Sequence, residues 1–331
     1  MVTQIIDGLY QLKVPIPDSA LVATNIYLLK GDKGYTLIDT GWGGERAFNS
    51  LKGQLAEIGV GLSEISQLVV THVHFDHYGL AGKIKKSSNA RIYVHRREQE
   101  IFHTRYAVTE ESLNRIEQWL QMNGVPAELT KAVHKPIGGF GKPIPAQPDV
   151  LLEGDEVIPC GYFNLKVIWT PGHTPGHICL YEPTHKLLFT GDHILPVITP
   201  NVGLAAYSEA NPLGDYLKSL AHVKKLAVET VLPAHENVFS DLSKRVDEIT
   251  HHHELRSAEI VNVMQRDELT AYQTANLVVW VPEHGGVKYA DLSAVAKIAA
   301  ISETLAHLRA LNIRGKVINN HRNDIVYYRI I

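Results

Sequence analysis

Apolar residues recur along the first half of the chain in short runs, not in the long stripes of a helical bundle. "GLYQLKV" (8–14), "TNIYLLKG" (24–31) and "GYTLIDTG" (34–41) read as strands, the last running out into a turn. Glu45 to Ile58 carries helical spacing, and the apolar run "ISQLVV" ahead of Thr71 reads as a buried strand. "GLAGKIKK" predicts a helix and "ARIYVH" (90–95) a strand. From Arg96 to about Trp119 the pattern is polar and helical, and a Gly/Pro-rich loop follows over 138–149. Strand patterns resume at 163–170, 177–182 and 185–192. A helix over 213–226 and a short strand and turn over 228–236 complete this half. Beyond about Ser240 the grammar changes to two long helical stretches, 242–265 and 291–311, and a terminal hairpin over 315–330. There is no tandem repeat and no low-complexity tract.

Four of the apolar strands run out into loops rich in metal-seeking side chains. Val70 leads into "THVHFDH", Ile168 into "TPGHTPGH", Phe189 into "TGDH", and Val231 into "LPAHE". A sheet aligns its strand ends along one rim, so ligands at equivalent ends can converge. Imidazole and carboxylate oxygen suit zinc, iron or manganese. The spacing of His72, His74, Asp76 and His77 lets neighbouring side chains address two adjacent ions without crowding one.

Composition narrows the rest. The chain has 331 residues, 45% apolar and 20% charged, as in an ordinary globular protein of one large or two unequal domains. A net charge of −3 supplies no general attraction to nucleic acid or anionic membrane. Two cysteines, Cys160 and Cys179, support neither a disulfide framework nor a thiolate metal site. No apolar run is long enough to span a bilayer, and the opening lacks the grammar of a secretory leader, so the cytoplasm is the expected location.

The order HxHxDH, then "PGHTPGH", then "TGD", then a histidine after a strand resembles the metallo-β-lactamase superfamily over about residues 5–240. The resemblance implies an α/β fold, a four-layer αβ/βα sandwich, with a metal centre at one rim. It implies two divalent metal ions per chain, zinc first, with iron or manganese as the alternatives. His72, His74 and His173 would hold the first, Asp76, His77 and His235 the second, and Asp192 would bridge them. Hydrolysis by a shared hydroxide follows, because coordination lowers the pKa of water towards about 7. Asp76 would also orient that nucleophile, and Asp39 in "TLIDTG" would support a ligating histidine. His177 is expected to support the motif, His193 to line the pocket or back up a ligand, and His251–His253 to lie on a solvated or locally bonded helix face.

Within the superfamily, "TPGHTPGHICLY" is similar to the glyoxalase II-like thioester hydrolases. The chain departs from them at "LPAHE" and lacks their basic glutathione-holding segment. Residues 241–331 resemble the winged-helix appendage of the β-lactamase-like protein 2 branch, which includes endoribonucleases. That makes a metal-dependent endoribonuclease or phosphoesterase the alternative to acyl hydrolysis. A mononuclear-iron sulfur dioxygenase shares part of the motif, but the complete ligand set argues against it. Residues 241–331 hold eleven Lys+Arg against eleven Asp+Glu, which favours a structural cap or a homodimer surface over a nucleic-acid face.

The expected organisation is a catalytic domain over 1–240, with a helical lid insertion at 97–146, and a winged-helix-like domain over 241–331. The loop after Asp192 is apolar, and no lysine or arginine occurs between Lys186 and Lys218. Such a pocket suits a small acyl substrate, a thioester, lactone or other ester, with Tyr207 as donor to a developing oxyanion.

Overall fold

The first sheet begins as an antiparallel meander of β1 (Thr3–Ile6), β2 (Leu9–Pro15), β3 (Ala23–Gly31) and β4 (Gly34–Ile38). It continues with parallel strands joined through helices. Helix α1 (Glu45–Glu57) leads to β5 (Ile65–Val69), and α2 (Phe75–Tyr78) and α3 (Ala81–Ser87) lead to β6 (Arg91–His95). Helices α4 (Arg96–Tyr106), α5 (Glu110–Met122) and α6 (Ala127–Thr130) precede β7 (Val150–Leu152), which closes a seven-stranded sheet in the order β1 to β7. This computed structural model describes residues 2–17, 21–106, 109–131, 146–204, 206, 210–265, 267–281 and 285–331.

The second sheet holds β8 (Val157–Cys160), β9 (Phe163–Trp169), β10 (Ile178–Glu182) and β11 (Leu187–Gly191). After α7 (Pro212–Val223), β12 (Thr230–Pro233) joins β11 in parallel, giving the order β12-β11-β10-β9-β8. Period-two alternation sorts the side chains between two cores. Tyr27 and Leu29 of β3 meet Phe163, Leu165, Leu180 and Phe189 in the layer between the sheets. Ile26 and Leu28 face the other way, onto Leu51 and Leu55 of α1 and Ile84 of α3. The result is a mixed α/β sandwich, the fold that the family resemblance implies.

The remaining elements are α8 (Leu242–Met264), α9 (Ala271–Leu277), β13 (Val279–Trp280), β14 (Val287–Lys288), α10 (Ala294–Ile313), β15 (Val317–Arg322) and β16 (Ile325–Ile330). The chain divides into two compact units. One comprises residues 1–107, 137–197 and 222–245, and the other 108–136, 198–221 and 246–331. Within the second, α10 is apolar on nearly every side and forms the centre, with Ile301, Leu305 and Leu308 fully packed. Leu120 of α5 lies in this core with Ile260, Met264 and Ala275, and Ile116 and Trp119 pack against it. The helical stretch expected from Arg96 to Trp119 is two helices. Thr109 caps the second, its hydroxyl taking the Ser112 N–H at 3.1 Å while Ser112 Oγ takes the Thr109 N–H at 3.0 Å. No helix among the described residues is long and apolar enough to cross a membrane.

Candidate metal centre

Strand direction explains where the ligand-type residues gather. β4, β5, β11 and β12 all release their chains at one edge of the sandwich, into Asp39, the 71–77 turn, Asp192 and His235. β9 runs parallel to β11 across β10 and delivers residues 170–177 to the same edge. The crevice outside the carboxyl ends of strands is where α/β sheets collect ligands.

Two trios of candidate ligands meet there. In the first, His74 Nδ1 lies 2.8 Å from His72 Nε2 and 3.0 Å from His173 Nε2. Asp192 Oδ2 faces these histidines, 3.5 Å from His173 Nε2 and 3.9 Å from His72 Nε2. In the second, Asp76 Oδ2 lies 3.5 Å from His77 Nε2 and 3.2 Å from His235 Nε2. Asp192 turns its other oxygen, Oδ1, to this trio, 3.5 Å from His77 Nε2 and 3.2 Å from His235 Nε2. Donor atoms of His72, His74, His173 and Asp192 all lie within 4.8 Å of one another, as do those of Asp76, His77 and His235. All seven residues expected as ligands are therefore brought together.

The residues fit divalent cations by their chemistry. His77 Nε2, His235 Nε2 and Asp192 Oδ1 are buried and have no hydrogen-bond partner, a costly state for polar atoms unless an ion engages them. The neighbours already fix which ring nitrogen faces inward. His77 gives Nδ1 to Asp39 Oδ2 at 2.8 Å, and His235 gives Nδ1 to the Ala23 carbonyl at 3.0 Å, leaving each Nε2 for the centre. The Asp192 N–H donates to His177 Nε2 at 3.2 Å, so His177 helps to orient Asp192. His193 is fully buried, its ring 5.8 Å from that of His177. Gly191 allows this crowding at φ +51°, since a Cβ there would sit 2.7 Å from His177 Nε2.

The field of the cluster is polarised. Burial drives His72 well below the ordinary imidazole range, helped by repulsion from His77, His74 and His173. At the second trio burial pulls the same way, but carboxylates outweigh it. Asp76, Asp192 and Asp39 hold His77 well above its usual value, and Asp192 with Asp76 pushes His235 up to about 10. Burial opposes ionisation of Asp76 and Asp192, yet the surrounding histidines keep both well below the usual carboxylate range. Ionised oxygens facing imidazoles make a pocket that attracts positive charge.

Other residues complete the frame. Asp39 is buried, adopts φ +61°, and accepts the Thr71 N–H at 2.8 Å as well as the Thr71 hydroxyl. β3 is tied to the turn after β12: Asn25 Nδ2 donates to Pro233 O and Glu236 O, and the Tyr27 hydroxyl to Pro233 O. Glu98, in a stretch whose sequence reads as polar and helical, is buried against the loops of the centre. His251 is exposed, as expected of that helix, whereas His253 is buried and meets His307 at 3.3 Å. Cys160 and Cys179 are free and buried, which raises their thiols to about 11 and about 12. Tyr207 lies outside the described residues.

Sequence comparison agrees with this geometry. The profile of the metallo-beta-lactamase superfamily matches residues 20–235, and the chain belongs to that superfamily. The beta-lactamase-like protein 2 homolog of Caenorhabditis elegans is 27% identical over 307 residues, covering 91% of this chain and 82% of its own. The human acyl-coenzyme A thioesterase MBLAC2 is 29% identical over 250 residues, covering 70% of this chain and 80% of its own. A metallo-beta-lactamase family protein of Thermus thermophilus superimposes with a TM-score of 0.83 at 29% identity, over 98% of this chain and all of the other.

Proposed function

We propose that this chain is a hydrolase that uses two divalent cations, zinc first among them, to cleave a small acyl substrate: a thioester, lactone or other ester. The observation that carries the proposal is Asp192, whose two oxygens face two separate ligand trios. The thioesterase relative supports the acyl class. Cations bound there would supply Lewis acidity and make water nucleophilic near neutral pH. Asp76, ionised at neutral pH, accepts a hydrogen bond from the attacking water and orients it on the acyl carbon. The carbonyl oxygen gathers negative charge as the C–O bond forms, with Tyr207 proposed as its donor. That charge returns as the bond to the alcohol or thiol leaving group breaks, the water's proton passing to the leaving group. The cytoplasm, the lid role of residues 97–146 and the winged-helix character of 241–331 belong to the same proposal.

The test is a substrate panel on metal-loaded protein: acyl-CoA thioesters, lactones, a β-lactam, a phosphodiester and RNA. Acyl hydrolysis should dominate, fall to background after chelation, and return on adding metal. Tyr207→Phe should lower turnover with metal content intact, and unchanged turnover would remove that residue from the site. RNA or phosphodiester cleavage far above any acyl hydrolysis would replace this reading with a nuclease.

A further inference from the structure

Glu98 stands in the first turn of α4, in the polar sequence "HRREQE", yet it is 0% exposed. Both carboxylate oxygens are turned to the loops of the metal centre. Oε2 accepts the Val73 N–H at 2.8 Å, midway between His72 and His74. Oε1 accepts the Thr174 hydroxyl at 2.5 Å and the Gly176 N–H at 2.8 Å, in the loop that carries His173. Gly176 permits the approach, because a Cβ there would lie 2.5 Å from the Glu98 nitrogen. Trp169 Nε1 braces the same loop from β9 by donating to Pro175 O at 2.9 Å.

We propose that Glu98 is the positioning residue of the first cation site, clamping the loop that bears His72 and His74 to the loop that bears His173. The second trio has supports of its own, Asp39 behind His77 and the Ala23 carbonyl behind His235. Loss of the clamp therefore falls on one site and spares the other. A buried carboxylate is a stringent clamp, since each of its oxygens must find donors and charge-assisted bonds are short and directional. The inference rests on the two-cation reading given above.

Glu98→Gln preserves size but replaces one acceptor oxygen with an amide N–H₂, which then faces a donor whichever way the group turns. Metal-free protein is titrated with Co²⁺, the visible absorption of the bound ion is followed, and His173→Ala marks the phase belonging to the first site. Glu98→Gln should weaken that phase roughly 10- to 100-fold, the usual range for supporting residues, and leave the other phase unchanged. A change confined to one phase is not produced by general loss of structure. Equal weakening of both phases, or of neither, overturns the proposal. Thr174→Val removes a single donor and should shift the same phase in the same direction by less. Should Glu98→Gln fail to fold by far-UV circular dichroism, an unmoved first phase in Thr174→Val overturns the proposal instead. If the wild type takes up only one ion, the two-cation reading falls, while Glu98 is still judged on the phase that His173→Ala removes.

Discussion

In the proposed centre Asp192 would serve both ions, because its two oxygens point to different trios. Asp192→Ala should cost the centre both ions and reduce hydrolysis to background, as read by metal analysis and turnover together. Full metal content in that variant would end the bridging assignment. Asp39 works one bond further out, holding Thr71 and the outer nitrogen of His77. Asp39→Asn keeps the shape but puts an N–H₂ against donors, and should lower second-site metal affinity or turnover roughly 10- to 100-fold. A metal titration indistinguishable from wild type would show Asp39 to be packing alone. The left-handed backbone of Asp39, φ +61°, is a conformation that aspartate tolerates better than most residues.

At the scale of elements, α5 shows how an amphipathic helix declares its partner. Leu120 is fully buried in the core built around α10. Leu120→Ala should destabilise the protein by about 2–5 kcal/mol, the usual range for opening a cavity in a core, and denaturant unfolding would measure it. A loss well below 1 kcal/mol would mean the helix is loosely held. Much of this architecture was legible beforehand, because strands such as 24–31 and helices such as 242–265 are long enough to show their period. The convergence of the candidate ligands was legible because they are chemically conspicuous and follow strand ends. β7 and β8, of three and four residues, are too short to display alternation. The break at Thr109 was hidden because a serine fills the place where a glutamate would advertise a capping box. Glu98 was hidden for a different reason: its burial comes from loops about 25 and 75 positions away, which no local pattern records.

For the whole molecule, acid is the natural stress. His253 is buried 5.5 Å from the Tyr216 ring, and His307 bonds both His253 and Ser257. Burial drives His253 down to about 3, and His252 and Arg256 add repulsion; burial, then His253 and Arg256, lowers His307 likewise. The unfolded chain takes up protons on both near the ordinary value of 6.5, while the folded chain refuses them. Between pH 6.5 and about 3 the unfolded state therefore binds more protons, and stability falls as pH falls. His253 contributes a slope of at most about 1.4 kcal/mol per pH unit inside its window, and His307 acts in the same direction. Denaturation midpoints collected from neutral pH downwards should show this decline, and His307→Gln should make it shallower. An unchanged slope would assign the acid sensitivity to other groups.

The seam between β3 and the turn after β12 has a bearing on how the protein comes into being. Its bonds join residues 206 to 212 positions apart, and one of them seats His235, the last candidate ligand in the chain. On a ribosome, the other six candidate ligands emerge before it. Until then Asn25 and Tyr27 lack the carbonyls they are shaped to meet, and the second trio is a pair. Contacts so distant along the chain are slow to form, because the entropy of closing the intervening loop comes first. The second trio is thus complete only once residue 235 has been made and the seam with β3 has closed, so any ion that needs His235 must wait for that long-range contact.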